Sequence, residues 1–127
     1  DNTATINYAY RQDDVTMYPD LIKLKIALDN GEVVGIEAKQ YYMNHTERDI
    51  PEPAVSAEEA RKKVNGNMKI YSSGLAYIPT DYNKEIFCHE FKGKLDDRDF
   101  IVYINALTGE EEDILMIVNT PNGVLTM

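Results

Sequence analysis

The stretch from Ile22 to Glu32 constrains this chain more than any other. Ile22, Leu24, Ile26 and Leu28 alternate with Leu21, Lys23, Lys25 and Ala27, a period of two that gives an extended strand one apolar face. Asp29-Asn30-Gly31-Glu32 follows at once, and Asn-Gly tolerates the positive φ of a tight hairpin. Val33 to Tyr42 resumes as the return strand, with Val34, Ile36 and Ala38 facing inward.

The same period recurs along most of the sequence. Ala4, Ile6, Tyr8 and Tyr10 alternate with Thr3, Thr5, Asn7 and Ala9, which predicts a half-buried strand ahead of the hairpin. Asn44 to Pro53 is a polar connector with two prolines, the best boundary between structural units. Ser56-Ala57-Glu58-Glu59 then carries a reciprocal capping box, so a helix of about three turns starts there and stops at Asn65-Gly66, with Ala57, Ala60 and Val64 as its apolar stripe. Beyond it come strands at Met68–Tyr71 and Leu75–Ile78, interrupted by a bulge or turn at Ser72-Ser73-Gly74, then at Glu85–Lys92, Phe100–Ala106 and Ile114–Val118, with Val124–Met127 as an edge strand.

An internal repeat becomes visible once these segments are aligned. Lys25 to Glu32 matches Tyr103 to Glu110 at an offset of 78 residues: an Ile, five positions to a Gly, then Glu, with apolar strands on either side. The second copy has a helix ahead of its strands and the first has none. The expected architecture is therefore α+β, antiparallel sheets with one short packed helix. Residues 1–50 form a partial first repeat of strands only, and 51–127 a complete second one.

Charge excludes one class of partner. With 22 acidic against 13 basic residues the net charge is -9, and nucleic-acid binding asks for clustered Lys and Arg. The longest basic cluster, Arg61-Lys62-Lys63, reads as a solvated helix face. No apolar run approaches the roughly 18 residues of a membrane-spanning helix. A start at Asp1 without Met suggests an excised piece, so the lack of an anchor or targeting segment here does not decide location.

Few residues invite chemistry. Cys88 is the single cysteine, which rules out an internal disulfide and a multi-cysteine metal site. Cys88-His89-Glu90 looks reactive, but neighbours on a strand point to opposite faces, so His89 is badly placed as a base for Cys88. His45 and His89 lack the close spacing of a metal site, and the acid run Glu110 to Asp113 lacks the spaced oxygens of a hard-cation loop. No catalytic, cofactor-binding or metal-ligating residue is assigned. Nine tyrosines against three phenylalanines and no tryptophan favour half-wet contact surfaces, and Tyr41, Tyr42, Tyr71, Tyr77 and Tyr82 are the candidate partner-binding residues. The competing readings are a Cys- or carboxylate-dependent cell-wall hydrolase and a small module that binds a cell-wall ligand.

Two sets of residues carry a resemblance. The strand Val102 to Leu107 running into Thr108-Gly109-Glu110, with the capped helix from Ser56 ahead of it, resembles the PepSY domain. Tyr18 to Lys25, Gly35 to Ala38, Tyr42 to His45 and Gly123 to Met127 are similar to the carboxy-terminal region of the YpeB family of spore germination proteins. The family would have an aromatic residue where this chain has His89. The resemblance implies tandem PepSY-type, cystatin-like repeats and a non-enzymatic role. It implies an amino-terminal anchor, a place outside the cytoplasm at the spore inner membrane or cortex, and a partner, the SleB-like cortex-lytic enzyme, which YpeB stabilises and restrains. No cofactor is implied. Self-association through an open strand edge is a further expectation.

Overall fold

The computed structural model describes residues 2–80, 84–120 and 123–126, so Tyr82 lies outside the described residues. The chain runs β1 (Thr3–Gln12), β2 (Val15–Ala27), β3 (Val33–Glu37), α1 (Lys39–Asn44), α2 (Ala57–Arg61), β4 (Lys69–Pro79), β5 (Glu85–Leu95), β6 (Arg98–Asn105), β7 (Glu111–Thr120) and β8 (Gly123–Thr126). All strands join one sheet in the order β1-β2-β4-β5-β6-β7-β8, with β3 also pairing β2. Neighbours are antiparallel except β2 and β4, which run parallel where Val15, Thr16 and Met17 face Leu75, Ala76 and Tyr77. Residues expected in two separate repeats thus share a continuous sheet.

The 78-residue repeat extends to single hydrogen bonds. Leu24 faces Ile36 as Val102 faces Ile114, and the register slips between Lys25 and Ile26 as it does between Tyr103 and Ile104. Ala27 N–H donates to Glu32 O at 2.9 Å, and Asn105 N–H to Glu110 O at 2.7 Å. Gly31 and Gly109 close the two turns with φ of 73° and 80°, a region that glycine enters without steric cost. The preceding hairpins turn on Asp13-Asp14 and Asp96-Asp97, each with two positive φ values, the pairing of a type I′ turn. The copies differ in length. Beyond a register shift at Ala9/Tyr10 the first hairpin has a longer tip, and that extra length of β2 is what reaches β4.

Four local expectations need correction. The return strand stops at Glu37 instead of Tyr42, because residues 39–44 coil into α1, so the first repeat is not made of strands only. Helical geometry brings Tyr41 against His45 four residues on, with the rings stacked 4.4 Å apart. Because α1 follows the strands, the place ahead of them that α2 occupies in the second repeat is not filled by it. Val34 and Ile36 are 54% and 69% exposed, not inward, since β3 pairs only with β2 and nothing described covers it. The helix α2 has five residues; its capping box forms as expected, Ala60 and Val64 are buried, and Ala57 is exposed. The expected interruption at residues 72–74 is not there: those residues pair in register with β5 within a single strand, β4, and the bulge falls one residue earlier, at Tyr71.

Among the described residues, three buried clusters are divided between the opposite faces of the sheet, and the one around Val15, Met17 and Phe87 shares a face with the one around Phe91. On that face, Ala60 and Val64 from the α2 segment meet Phe91, Val102 and Ile104. His89 is buried on this face and donates from Nε2 to the Val55 carbonyl at 2.7 Å, pinning the chain just ahead of α2 onto the sheet. On the other face, Ala76, Cys88, Ile101 and Tyr103 pack with Tyr18, Ile78 and Leu115.

Candidate functional site

Charged residues inside apolar strands must find partners, because an unpaired buried charge is strongly unfavourable. β2 carries such a residue in Asp20, which is 0% exposed. Arg48, from the polar connector, meets it in a fork: Nη1 donates to Oδ2 at 2.9 Å and Nη2 to Oδ1 at 2.8 Å. The same guanidinium reaches Glu85 at the start of β5, with Nε to Oε2 at 2.7 Å and Nη2 to Oε1 at 2.6 Å. His45 Nδ1 adds a third donor to Asp20 at 2.9 Å. Gln12 completes the clamp, receiving from the Arg48 backbone N–H and donating to its carbonyl. The connector is therefore a fastened strap that ties the first hairpins to the second, and the hydrogen bonds to Glu85 and Asp20 hold the guanidinium proton more tightly than usual.

The second buried charge is Glu90 of β5. Tyr18 and Tyr103 both donate their hydroxyls to its Oε2, at 2.6 and 2.7 Å. Burial, reinforced by the neighbouring carboxylate, pushes both phenols far above the ordinary tyrosine range. These tyrosines line a cavity of about 340 Å³ that also touches Asn7 of β1 and Leu115 of β7. In a flat sheet β1 and β7 would lie roughly 24 Å apart, five steps of about 4.8 Å. Sharing one cavity means that the sheet curls strongly around this face.

The four expected contact tyrosines among the described residues do not form one patch. Tyr41 and Tyr42 sit together on α1, where Tyr41 is half-buried against His45 and Tyr42 is 82% exposed. Tyr77 belongs to the core, stacked on Phe87 with the Arg48 guanidinium 5.9 Å from its ring centre. Tyr71 lies at the β4 bulge, exposed, its hydroxyl on Asp99. The clamp links Tyr41 to Tyr77, and Tyr71 stands apart. Cys88 is fully buried on the face opposite His89. Burial, with Glu112 adding to it, pushes its thiol up to about 12, so it does not supply a thiolate near neutral pH.

Asp20, Arg48, Glu90, Tyr18 and Tyr103 are absent from the sequence-based site. Their signal was readable for the carboxylates alone: Asp20 between Pro19 and Leu21, and Glu90 within Ile86 to Phe91, each interrupt an apolar strand.

Curled hairpins repeated in tandem, with a capped short helix on one face, define a PepSY-type module. The family profile described as YpeB sporulation, PepSY1 and PepSY2 domains, matches residues 1–51. The chain is 40% identical over 114 residues to sporulation protein YpeB of Halalkalibacterium halodurans, covering 90% of this chain and 26% of the relative. It is 37% identical over 119 residues to that of Bacillus subtilis, covering 94% and 26%. The solved Bacillus megaterium YpeB C-terminal domain matches with a TM-score of 0.88 at 38% identity, over 94% of this chain and 53% of that one. The chain belongs to the YpeB family. It spans about a quarter of the length of these curated relatives and about half of the solved domain.

Proposed function

We propose that this chain is a non-enzymatic accessory module of a spore germination protein, one that binds, stabilises and restrains a SleB-type cortex-lytic enzyme. The observation that carries this reading is the open apolar rim of the first repeat. Leu28, Val33, Val34 and Ile36 are exposed around the edge of β3 that no described strand pairs, and Tyr42 on α1 is exposed as well. Apolar surface gathered along an unpaired strand edge is what a soluble protein keeps for a partner. The buried, proton-holding Cys88 argues against a thiol hydrolase. The setting proposed is extracytoplasmic, at the spore inner membrane or cortex, with an anchor elsewhere in the polypeptide.

The test is capture of a SleB-like hydrolase by the purified chain, with hydrolase activity on cortex peptidoglycan measured alongside. Binding that falls when Ile36→Lys and Val34→Lys are introduced supports the reading. Wild-type chain that neither binds the hydrolase nor changes its activity overturns it. Peptidoglycan turnover by the chain itself, lost on Cys88→Ser, would establish the hydrolase instead. Concentration-dependent sedimentation that the same lysines abolish would assign the edge to self-association.

A further inference from the structure

The curled face holds a cavity that the rim reading leaves unused. Its walls are apolar, from Leu21 of β2, Ile78 of β4, Ile101 of β6 and Leu115 of β7, with the Asp113 carboxylate exposed at its mouth. Tyr18 and Tyr103 line it, and both hydroxyl protons are committed to Glu90 Oε2. A phenol whose proton is so engaged can only accept from a further partner. The site therefore offers two acceptor oxygens and an anion to a hydrogen-bond donor, and an apolar sleeve to whatever carries that donor. Its volume of about 340 Å³ suits one long side chain and part of a neighbour. The adjoining groove shares Ile78, Pro79 and Asp113 with it and adds Glu85, Glu112 and one cation, Lys84, so the approach carries a net acidic charge.

We propose that this cavity is a socket for a lysine or arginine side chain presented on an apolar stretch of a partner polypeptide. The methylene stem lies against the aliphatic walls while the cationic head meets the tyrosine oxygens and Asp113. The inference rests on the partner-binding reading only in taking the side chain from another protein, and it places a second contact on a different face from the β3 rim.

The experiment uses isotope-labelled chain and two blocked tripeptides, acetyl-Val-Lys-Val-amide and the same peptide with its lysine acetylated. Resonances of Tyr18, Ile78, Ile101, Tyr103 and Leu115 should shift with the lysine peptide. Acetylation should weaken binding about tenfold, as loss of a charge-assisted hydrogen bond predicts. Asp113→Asn, a change at an exposed side chain, should weaken it a few-fold, and Tyr18→Phe more, with folding of both checked by thermal melting. Equal binding of both peptides, shifts confined to other residues, or unchanged binding by both variants overturns the proposal. So does a muropeptide with a free ammonium that binds here when the peptide does not, since the ligand would then be the cell wall. Undiminished hydrolase capture by the Tyr18→Phe, Asp113→Asn double variant overturns the socket and leaves the rim intact. Peptide binding without hydrolase capture supports the socket and removes that enzyme as the partner.

Discussion

Replacing Arg48 with methionine keeps most of the stem and removes the guanidinium. Among the described residues, Asp20, whose side chain has no exposure, would then keep His45 as its basic partner. Breaking a buried pair by deleting one partner typically costs about 3–5 kcal/mol, and the surviving imidazole donor places this case near the lower end. The Glu85 half of the fork is partly solvated, with its side chain 31% exposed, and adds about 0.5 kcal/mol. The sum, about 3–4 kcal/mol, is a large share of the roughly 5–15 kcal/mol that holds a domain together. At about 3–5 °C per kcal/mol for this size, melting should fall by roughly 10–20 °C. Asp20→Asn removes the charge that needs pairing and should cost only about 1–2 kcal/mol. The double variant is the sharper assay, because once Asp20 is neutral the loss of Arg48 matters far less. Urea melts of the four proteins should give a coupling of about 2 kcal/mol. A loss below about 1 kcal/mol for Arg48→Met, or strict additivity, would refute the view that the strap holds the two repeats together through this fork.

Three further outcomes follow from the described geometry. Cys88, Tyr18 and Tyr103 all hold their protons more tightly when folded. The unfolded chain therefore releases them first, and stability should fall as pH rises above about 9, by about 1.4 kcal/mol per pH unit for each group in its window. Urea melts from pH 8 to 10.5 check this, Cys88→Ala should flatten the first part, and a level profile would contradict it. At Gly93 an added Cβ would sit 2.5 Å from the Lys69 carbonyl oxygen and 2.7 Å from Met68 Cε. Gly93→Ala should thus cost about 2–3 kcal/mol by overpacking, read from its urea midpoint. Ser56→Ala removes the acceptor for Glu59 N–H, and a loss of about 1 kcal/mol is expected in the same melt.

How much of this was legible depends on how local each feature is. The Asn30-Gly31 and Thr108-Gly109 turns, the capping box at Ser56 and the 78-residue offset are written in short windows, and each forms where its residues predict. The helix at Lys39–Asn44 is not legible as one, because Lys39-Gln40-Tyr41-Tyr42 suits strand and helix alike and the contact of Tyr41 with His45 exists only once coiled. The parallel joint of β2 to β4 and the Asp20–Arg48–Glu85 fork bring together residues 28 to 60 positions apart, and no local period encodes that. The cavity is more distant still from sequence, since it depends on the curl of the whole sheet. Its one sign was a glutamate where an apolar strand should have none.

The parallel joint also has a mechanical meaning. Within the β1–β2 and β5–β6 hairpins, force is shared along antiparallel ladders of eight or more residue pairs, whereas the two repeats meet through three backbone pairs, the arginine fork and the Tyr18–Glu90 hydrogen bond. Tension that draws the repeats apart falls on these few contacts, so this joint is expected to yield ahead of those two ladders. The polypeptide released is the strap itself, about 12 residues from His45 to Ser56 or roughly 40 Å at full extension. Extension under load is therefore expected to begin at this joint.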